Sequence, residues 1–231
     1  MSPRFIDTPL KAVLFDLDDT LIDSFQARVE ALQQAFTGTG VLPSTAVEFL
    51  HNLKGGQLMT ALAQLETEAG SEYGLIDRYR NAYWNKEIGV LTLYPGVEPL
   101  LRELHSLGVK LGVVTQKGRV FQVGERRAGA ADEIAELGIS DMFSVVVGFE
   151  DVTNYKPHPE GVNIALTWLG VTPYETLVVG DSVADIGAAR AAGCWSCQAT
   201  WGISGYQRGD GDFGADIVAE TPDNLMGLPY L

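Results

Sequence analysis

Between Val97 and Ala199 the chain alternates apolar runs of four to six residues with amphipathic stretches of ten or more, and glycine closes most of those stretches. The spacing predicts a helix over Val97–Leu107, with Leu100, Leu101, Leu104 and Leu107 on one face and a stop at Gly108. A strand over Val109–Val114 follows, then a long helix from about Arg119 to Leu137 that stops at Gly138. Ser144–Val147 reads as a strand, Pro159–Leu169 as a helix closed by Gly170, and Thr176–Val179 as a strand closed by Gly180. Val183–Ala192 is a helix closed by Gly193, and Trp195–Ala199 a further strand. A short strand at Asp216–Val218 and a short helix near Asn224–Met226 complete the series. Upstream, Ala12–Phe15 is the first buried strand. Such alternation indicates right-handed βαβ units and a parallel sheet. Strands this continuously apolar are covered by helices on both faces.

The expected fold is therefore α/β, a Rossmann-like parallel sheet flanked by helices, interrupted by one region of different character. Phe25, Val29, Leu32 and Phe36 recur at helical spacing, as do Leu58, Leu62 and Leu65. Gly38 and Gly40 end the first of these helices, Pro43–Ser44 opens a second, and Gly55–Gly56 and Gly70–Ser71 break the pattern again. Tyr73, Ile76, Tyr79, Tyr83 and Trp84 suggest another helix, its aromatics forming the core of the bundle. No strand is expected here. The division that follows is a core of residues 1–21 and 94–231 with an inserted α-helical cap at 22–93. Open α/β sheets bind ligands at the carboxyl ends of their strands. Asp16, Thr115 and Asp181 each follow a predicted strand directly, and a bundle inserted after the first strand can hang over that edge as a lid.

Charge at the strand ends is where chemistry is expected. Asp16, Asp18 and Asp19 stand within four positions at the end of an apolar strand, where desolvation is costly unless something offsets it. Residues two apart on extended backbone share a side, so Asp16 and Asp18 face together and Asp19 faces away. Two such carboxylates can divide labour as nucleophile and acid/base. Gly180–Asp181–Ser182–Val183–Ala184–Asp185 adds two more acids after another strand. Turn or capping aspartates are common at such places and explain one acid well, but four converging acids poorly. Oxygen-only ligands favour a hard cation, and a few carboxylates plus waters suit Mg²⁺ better than a full Ca²⁺ cage. Lys156, in Asn154–Tyr155–Lys156–Pro157–His158–Pro159, can neutralise a nucleophile and hold a phosphoryl oxygen if it lies beside the acids, although most loop lysines are simply solvated. A net charge of −14 argues against a nucleic-acid or anionic-membrane partner. No apolar run approaches the roughly 20 residues of a membrane span. Residues 1–10 lack the apolar centre of a signal peptide, so the cytoplasm is the expected compartment. Cys194 and Cys197 lie three apart on a predicted strand, facing opposite sides, and are read as packing residues. His158, between two prolines, is read as a loop residue.

These pieces together resemble the haloacid dehalogenase superfamily, in particular phosphoglycolate-phosphatase-like members with a helical cap. The matching residues are Asp16–Leu17–Asp18–Asp19–Thr20, Thr115, Lys156–Pro157 and Gly180–Asp181–Ser182–Val183–Ala184–Asp185, in the family's order. The resemblance implies a Mg²⁺-dependent phosphatase acting on a small phosphorylated metabolite through an aspartyl-phosphate. By that likeness Asp16 is the nucleophile and Asp18 the acid/base, while Thr115, Gln116 and Lys156 hold phosphoryl oxygens. Asp16, the backbone carbonyl of Asp18 and Asp181 bind the metal, with Asp185 as ligand or support. Lys54–Gly55–Gly56 stands where relatives carry a specificity loop, and Lys54 and Gly55 are its candidates for substrate contact. The sequence departs from the pattern at Asp19, where glycine is common, and at Gln116, where asparagine is common. An aspartate at position 18 argues for attack at phosphorus rather than carbon. Phosphosugar mutases keep the same motifs and stay open as an alternative, as does, more remotely, a non-catalytic binding protein.

Overall fold

The computed structural model describes residues 9–40, 45–53, 57–70, 72–84, 91–123, 125–202 and 213–227. The chain runs β1 (Ala12–Phe15), β2 (Ile22–Asp23), α1 (Phe25–Phe36), α2 (Thr45–Leu53), α3 (Leu58–Ala69), α4 (Leu75–Trp84) and β3 (Thr92–Leu93). It continues through α5 (Val97–Ser106), β4 (Lys110–Val114), β5 (Phe121–Val123), β6 (Arg126–Ala128), α6 (Ala130–Glu136) and β7 (Phe143–Val147). The last elements are α7 (Glu160–Leu169), β8 (Thr176–Gly180), α8 (Val183–Ala192), β9 (Trp195–Ala199) and β10 (Ile217–Ala219).

Six strands form one parallel sheet in the order β10-β9-β8-β1-β4-β7. Every residue of β1 is buried, and its alternation divides the core between the two faces. Val13 and Phe15 pack with Leu100, Leu101 and Leu104 of α5 and Ile134 of α6. Ala12 and Leu14 face the other way, against Val162 and Leu166 of α7 and Ala188 of α8. Each fully buried leucine contributes ~1.5–3 kcal/mol. The chain leaves β1 toward β4 but leaves β8 toward β9, so adjacent strands send their connections in opposite directions. A crevice opens between such strands at their carboxyl ends. The register sets Phe15 opposite Val113 on one side and Val179 on the other, which brings Asp16 level with Gly180.

Helices α1 to α4 lie between β2 and β3 and gather a second apolar cluster, built on Val29, Leu32, Phe36, Leu62, Leu75, Tyr79, Tyr83 and Trp84 and joined by Ala128 of β6. Lys54, Gly55 and Gly56 lie outside the described residues. Three expectations need correction. The helix predicted over Arg119–Leu137 is an antiparallel hairpin, β5 with β6, followed by a short α6. Gly129 explains the break: its φ of 152° suits glycine, and a Cβ there would lie 2.3 Å from the Arg119 carbonyl oxygen. Nor is the region free of strands, because β2 and β3 pair antiparallel where the chain leaves and rejoins the sheet layer. The C-terminal helix is a 3₁₀ turn at Pro222–Leu225. Cys194 and Cys197 are buried and unbridged, and burial pushes the Cys197 thiol up to about 12. No described helix is long and apolar enough to cross a membrane.

Candidate active site

Asp16, one residue past β1, continues the sheet by donating its N–H to the Val179 carbonyl at 2.9 Å. This places its carboxylate beside the turn after β8, where Asp181 and Asp185 stand. One carboxylate oxygen from each of Asp16, Asp181 and Asp185 lies within 4.8 Å of the other two. Lys156 enters from the loop before α7 and donates to Asp16 Oδ1 and Asp185 Oδ1, both at 2.6 Å, and to the Val114 carbonyl at 3.0 Å. The Ser182 backbone N–H and hydroxyl donate to Asp185 Oδ2 at 3.1 and 2.5 Å, and Asp185 N–H donates back to the hydroxyl, forming a capping box on α8. Both oxygens of Asp185 are thus engaged. Thr20 donates to Asp181 Oδ1 at 3.2 Å. Asp16 Oδ2 and Asp181 Oδ2 receive no donor among the described residues.

Burial pushes the Asp16 carboxyl up, Lys156 draws it down and Asp185 pushes it up again, leaving it at about 7. Burial raises Asp181 well above the usual range, and the nearby charges of Asp19, Asp185 and Asp16 raise it further. Lys156 loses proton affinity to burial but gains more from Asp16 and Asp185, so it stays charged. Acids crowded this way hold protons in the absence of other charge and release them to a cation. With three carboxylates gathered so closely and an oxygen of Asp16 and of Asp181 receiving no donor among the described residues, the cluster fits a hard divalent cation such as Mg²⁺.

Asp18 takes a different set of partners. Ser24, at the N-cap of α1, donates to Asp18 Oδ1 at 2.6 Å, and Lys117 Nζ donates to the same oxygen at 2.8 Å. Burial pushes Asp18 up, but Lys117 and Arg28 outweigh it and bring the carboxyl down to about 2. The carboxylates of Asp16, Asp181 and Asp185 thus cluster, while that of Asp18, expected to offer a metal only its backbone carbonyl, turns to Lys117. The remaining donors of Lys117 go to Glu133 and Tyr83. Sequence reasoning named neither Lys117 nor Glu133. The one available signal was the position of Lys117, two residues after Thr115.

Asp19 corrects another expectation. It does not face away as a bystander: it is buried, lines the same cavity and raises Asp181 through its charge. Its φ of 62° turns the chain, and its carboxylate forms an ion pair with Arg28 of α1. Thr115 is buried, with its hydroxyl accepting from the Lys117 N–H at 3.1 Å, and both Thr115 and Gln116 line the cavity. That cavity, of about 160 Å³, has Asp16, Asp18, Lys156, Asp181 and Ser182 at one end. Phe25, Leu50, Leu53, Leu58, Met59, Tyr79 and Trp84 cover it from the helical insert, with Arg28 and Arg80 among them. Tyr83 and Trp84 are buried in the insert as expected, and they also wall the cavity. His158 is an exposed loop residue, as read from the sequence.

Comparison with known proteins agrees with this geometry. A sequence profile described as haloacid dehalogenase-like hydrolase matches residues 13–199. The chain is 32% identical to the phosphoglycolate phosphatase of Salmonella paratyphi A over 249 residues, covering 96% of this chain and 94% of the relative. A crystal structure of a predicted phosphoglycolate phosphatase from Haemophilus somnus superposes with a TM-score of 0.74 at 24% identity, covering 95% of this chain and 98% of the other. The β-phosphoglucomutase of Clostridium difficile superposes equally well, with a TM-score of 0.74 at 24% identity over 94% of each chain. At these identities the two structures show a shared fold.

Proposed function

The chain belongs to the haloacid dehalogenase-like hydrolase family, and from that premise we propose that it is a Mg²⁺-dependent phosphatase of small phosphomonoesters. The observation that carries the reading is Asp16 with Oδ1 held by Lys156 and Oδ2 left open, beside Asp181 in a cavity covered by the helical insert. In this reading the Asp16 carboxylate attacks phosphorus through one oxygen, the bond to the ester oxygen breaks, and Asp18 gives that oxygen its proton. The phosphate dianion arriving beside Asp18 raises its proton affinity for this step. Asp18, then ionised, takes a proton from the water that cleaves the aspartyl-phosphate, which returns Asp16 and releases phosphate. Lys156 and the Thr115–Gln116 loop hold phosphoryl oxygens. When bound, Mg²⁺ supplies positive charge that lets a dianion approach the acids. Asp16, Asp181 and the Asp18 carbonyl would hold it. Asp185 supports from behind, because both its oxygens already serve Lys156 and Ser182.

Residues 22–93 act as the cap over a core of residues 1–21 and 94–231, and the cavity they enclose suits a small phosphorylated metabolite. Phosphoglycolate, the ester for which the Salmonella relative is named, is the first to try. The test is hydrolysis of p-nitrophenyl phosphate. Asp16→Asn is expected to abolish it, and EDTA to abolish it reversibly, with Mg²⁺ restoring turnover. Full activity after either treatment overturns the reading. Release of free phosphate from hexose phosphates, rather than migration of the group within them, separates a phosphatase from a phosphosugar mutase.

A further inference from the structure

Glu133 lies on α6, is 3% exposed, and touches none of the acids assigned to the metal. Both of its oxygens accept from Lys117 Nζ, at 3.0 and 2.8 Å, and Oε1 also accepts from the Tyr83 hydroxyl at 2.9 Å. Lys117 Nζ donates in turn to the Tyr83 oxygen at 3.0 Å and sits 4.8 Å from the centre of that ring. Its last partner is Asp18 Oδ1. A lysine ammonium on a flexible stem ordinarily reaches for water. Here three elements converge on it: α4 of the insert, α6, and the loop after β1.

Lys117 and Ser24 converge on one oxygen of Asp18, so Oδ2 is the oxygen left to exchange a proton in the cavity. We propose that Glu133 and Tyr83 are positioning residues for Asp18: they hold Lys117 against Oδ1, and so aim Oδ2 at the leaving-group oxygen. Tyr83 comes from the insert, so this aim is complete only when the insert is seated on the sheet layer. The inference rests on the phosphatase reading of Asp18.

The test uses leaving-group dependence. Nitrophenolate departs without a proton, whereas the alkoxide of glycerol 2-phosphate needs one. The ratio kcat/KM covers events through departure of the leaving group, so the later hydrolysis of the phospho-enzyme does not obscure it. With Mg²⁺ present, Glu133→Gln is expected to lower kcat/KM for glycerol 2-phosphate by about 10- to 100-fold. For p-nitrophenyl phosphate it should change by less than about 3-fold, because general-acid help is not needed there. Tyr83→Phe, which removes one hydroxyl and keeps the ring, should give the same pattern more weakly, and it stands in if Glu133→Gln does not fold. Glu133→Asp, which keeps the charge, should recover part of the loss. Equal losses on both esters overturn the inference in favour of a purely structural role, and no loss on either overturns it outright. If the unaltered protein hydrolyses neither ester, the phosphatase reading itself fails, and the inference falls with it.

Discussion

Asp185 serves two neighbours with two oxygens, Lys156 on one and the Ser182 cap on the other. Gly180 makes room for this, because a Cβ there would lie 2.3 Å from Asp185 Cγ. Gly180→Ala must therefore push Asp185 aside. Overpacking of this kind costs ~1–3 kcal/mol and a lost helix cap about 1 more. Urea unfolding is expected to show a loss of about 2–4 kcal/mol, and Mg²⁺ is expected to raise Tm less than it does for the unaltered protein. A loss below about 0.5 kcal/mol would mean the acid is not held as described. The sequence showed this spacing openly, and its two readings, capping and acid cluster, are both true of the same residues. Lys117 was not legible in that way. Its partners Asp18, Tyr83 and Glu133 stand 99, 34 and 16 residues from it, and only the fold brings them around it.

At the scale of elements, α1 is tied to the loop after β1 by the buried pair of Arg28 and Asp19, both under one-fifth exposed. Removing one partner of such a pair leaves a buried charge uncompensated, which typically costs ~3–5 kcal/mol, whereas replacing both with apolar or neutral groups is often neutral. Arg28→Met is thus expected to destabilise the protein by about 2–4 kcal/mol. Adding Asp19→Gly should restore most of it, since glycine adopts the positive φ of 62° without strain. Urea unfolding of the single and double variants measures this directly, and simple additivity of two losses would show the pair is not coupled. The departure at Asp19 was visible in sequence, but its compensation nine residues away on a helix was not. The sheet strands and the helices closed by glycine were legible because apolar periodicity and chain stops agree there. The hairpin of β5 and β6 was missed because Val120, Phe121 and Val123 also fit a helical spacing, and the decisive feature is the close approach of Gly129 to Arg119.

For the whole molecule, thirty acids against sixteen bases make any further buried negative charge expensive. Asp16 titrates at about 7 in the folded chain and Asp181 well above the usual range, while both return to ~3.9 on unfolding. A carboxyl raised by folding contributes most below its unfolded pKa, and that contribution is lost as pH rises through the folded value. The metal-free protein should therefore lose stability between about pH 4 and pH 7 from Asp16, and Asp181 adds to the loss as pH rises from the same starting point. Asp18 acts in the opposite sense, but with its value depressed to about 2 its stabilisation is lost only as pH falls from about 4 toward 2, below that window. A bound divalent cation takes the place of those protons, so its stabilising effect must grow across the same window. Saturating Mg²⁺ is expected to raise Tm by several degrees more at about pH 8 than at about pH 5, measured by scanning fluorimetry against an EDTA control. Asp181→Asn should flatten that difference, because it removes a carboxylate that both the proton and the cation require. An Mg²⁺ effect independent of pH, or unchanged in Asp181→Asn, would place the cation away from these acids and break the link between the charge of the chain and its site.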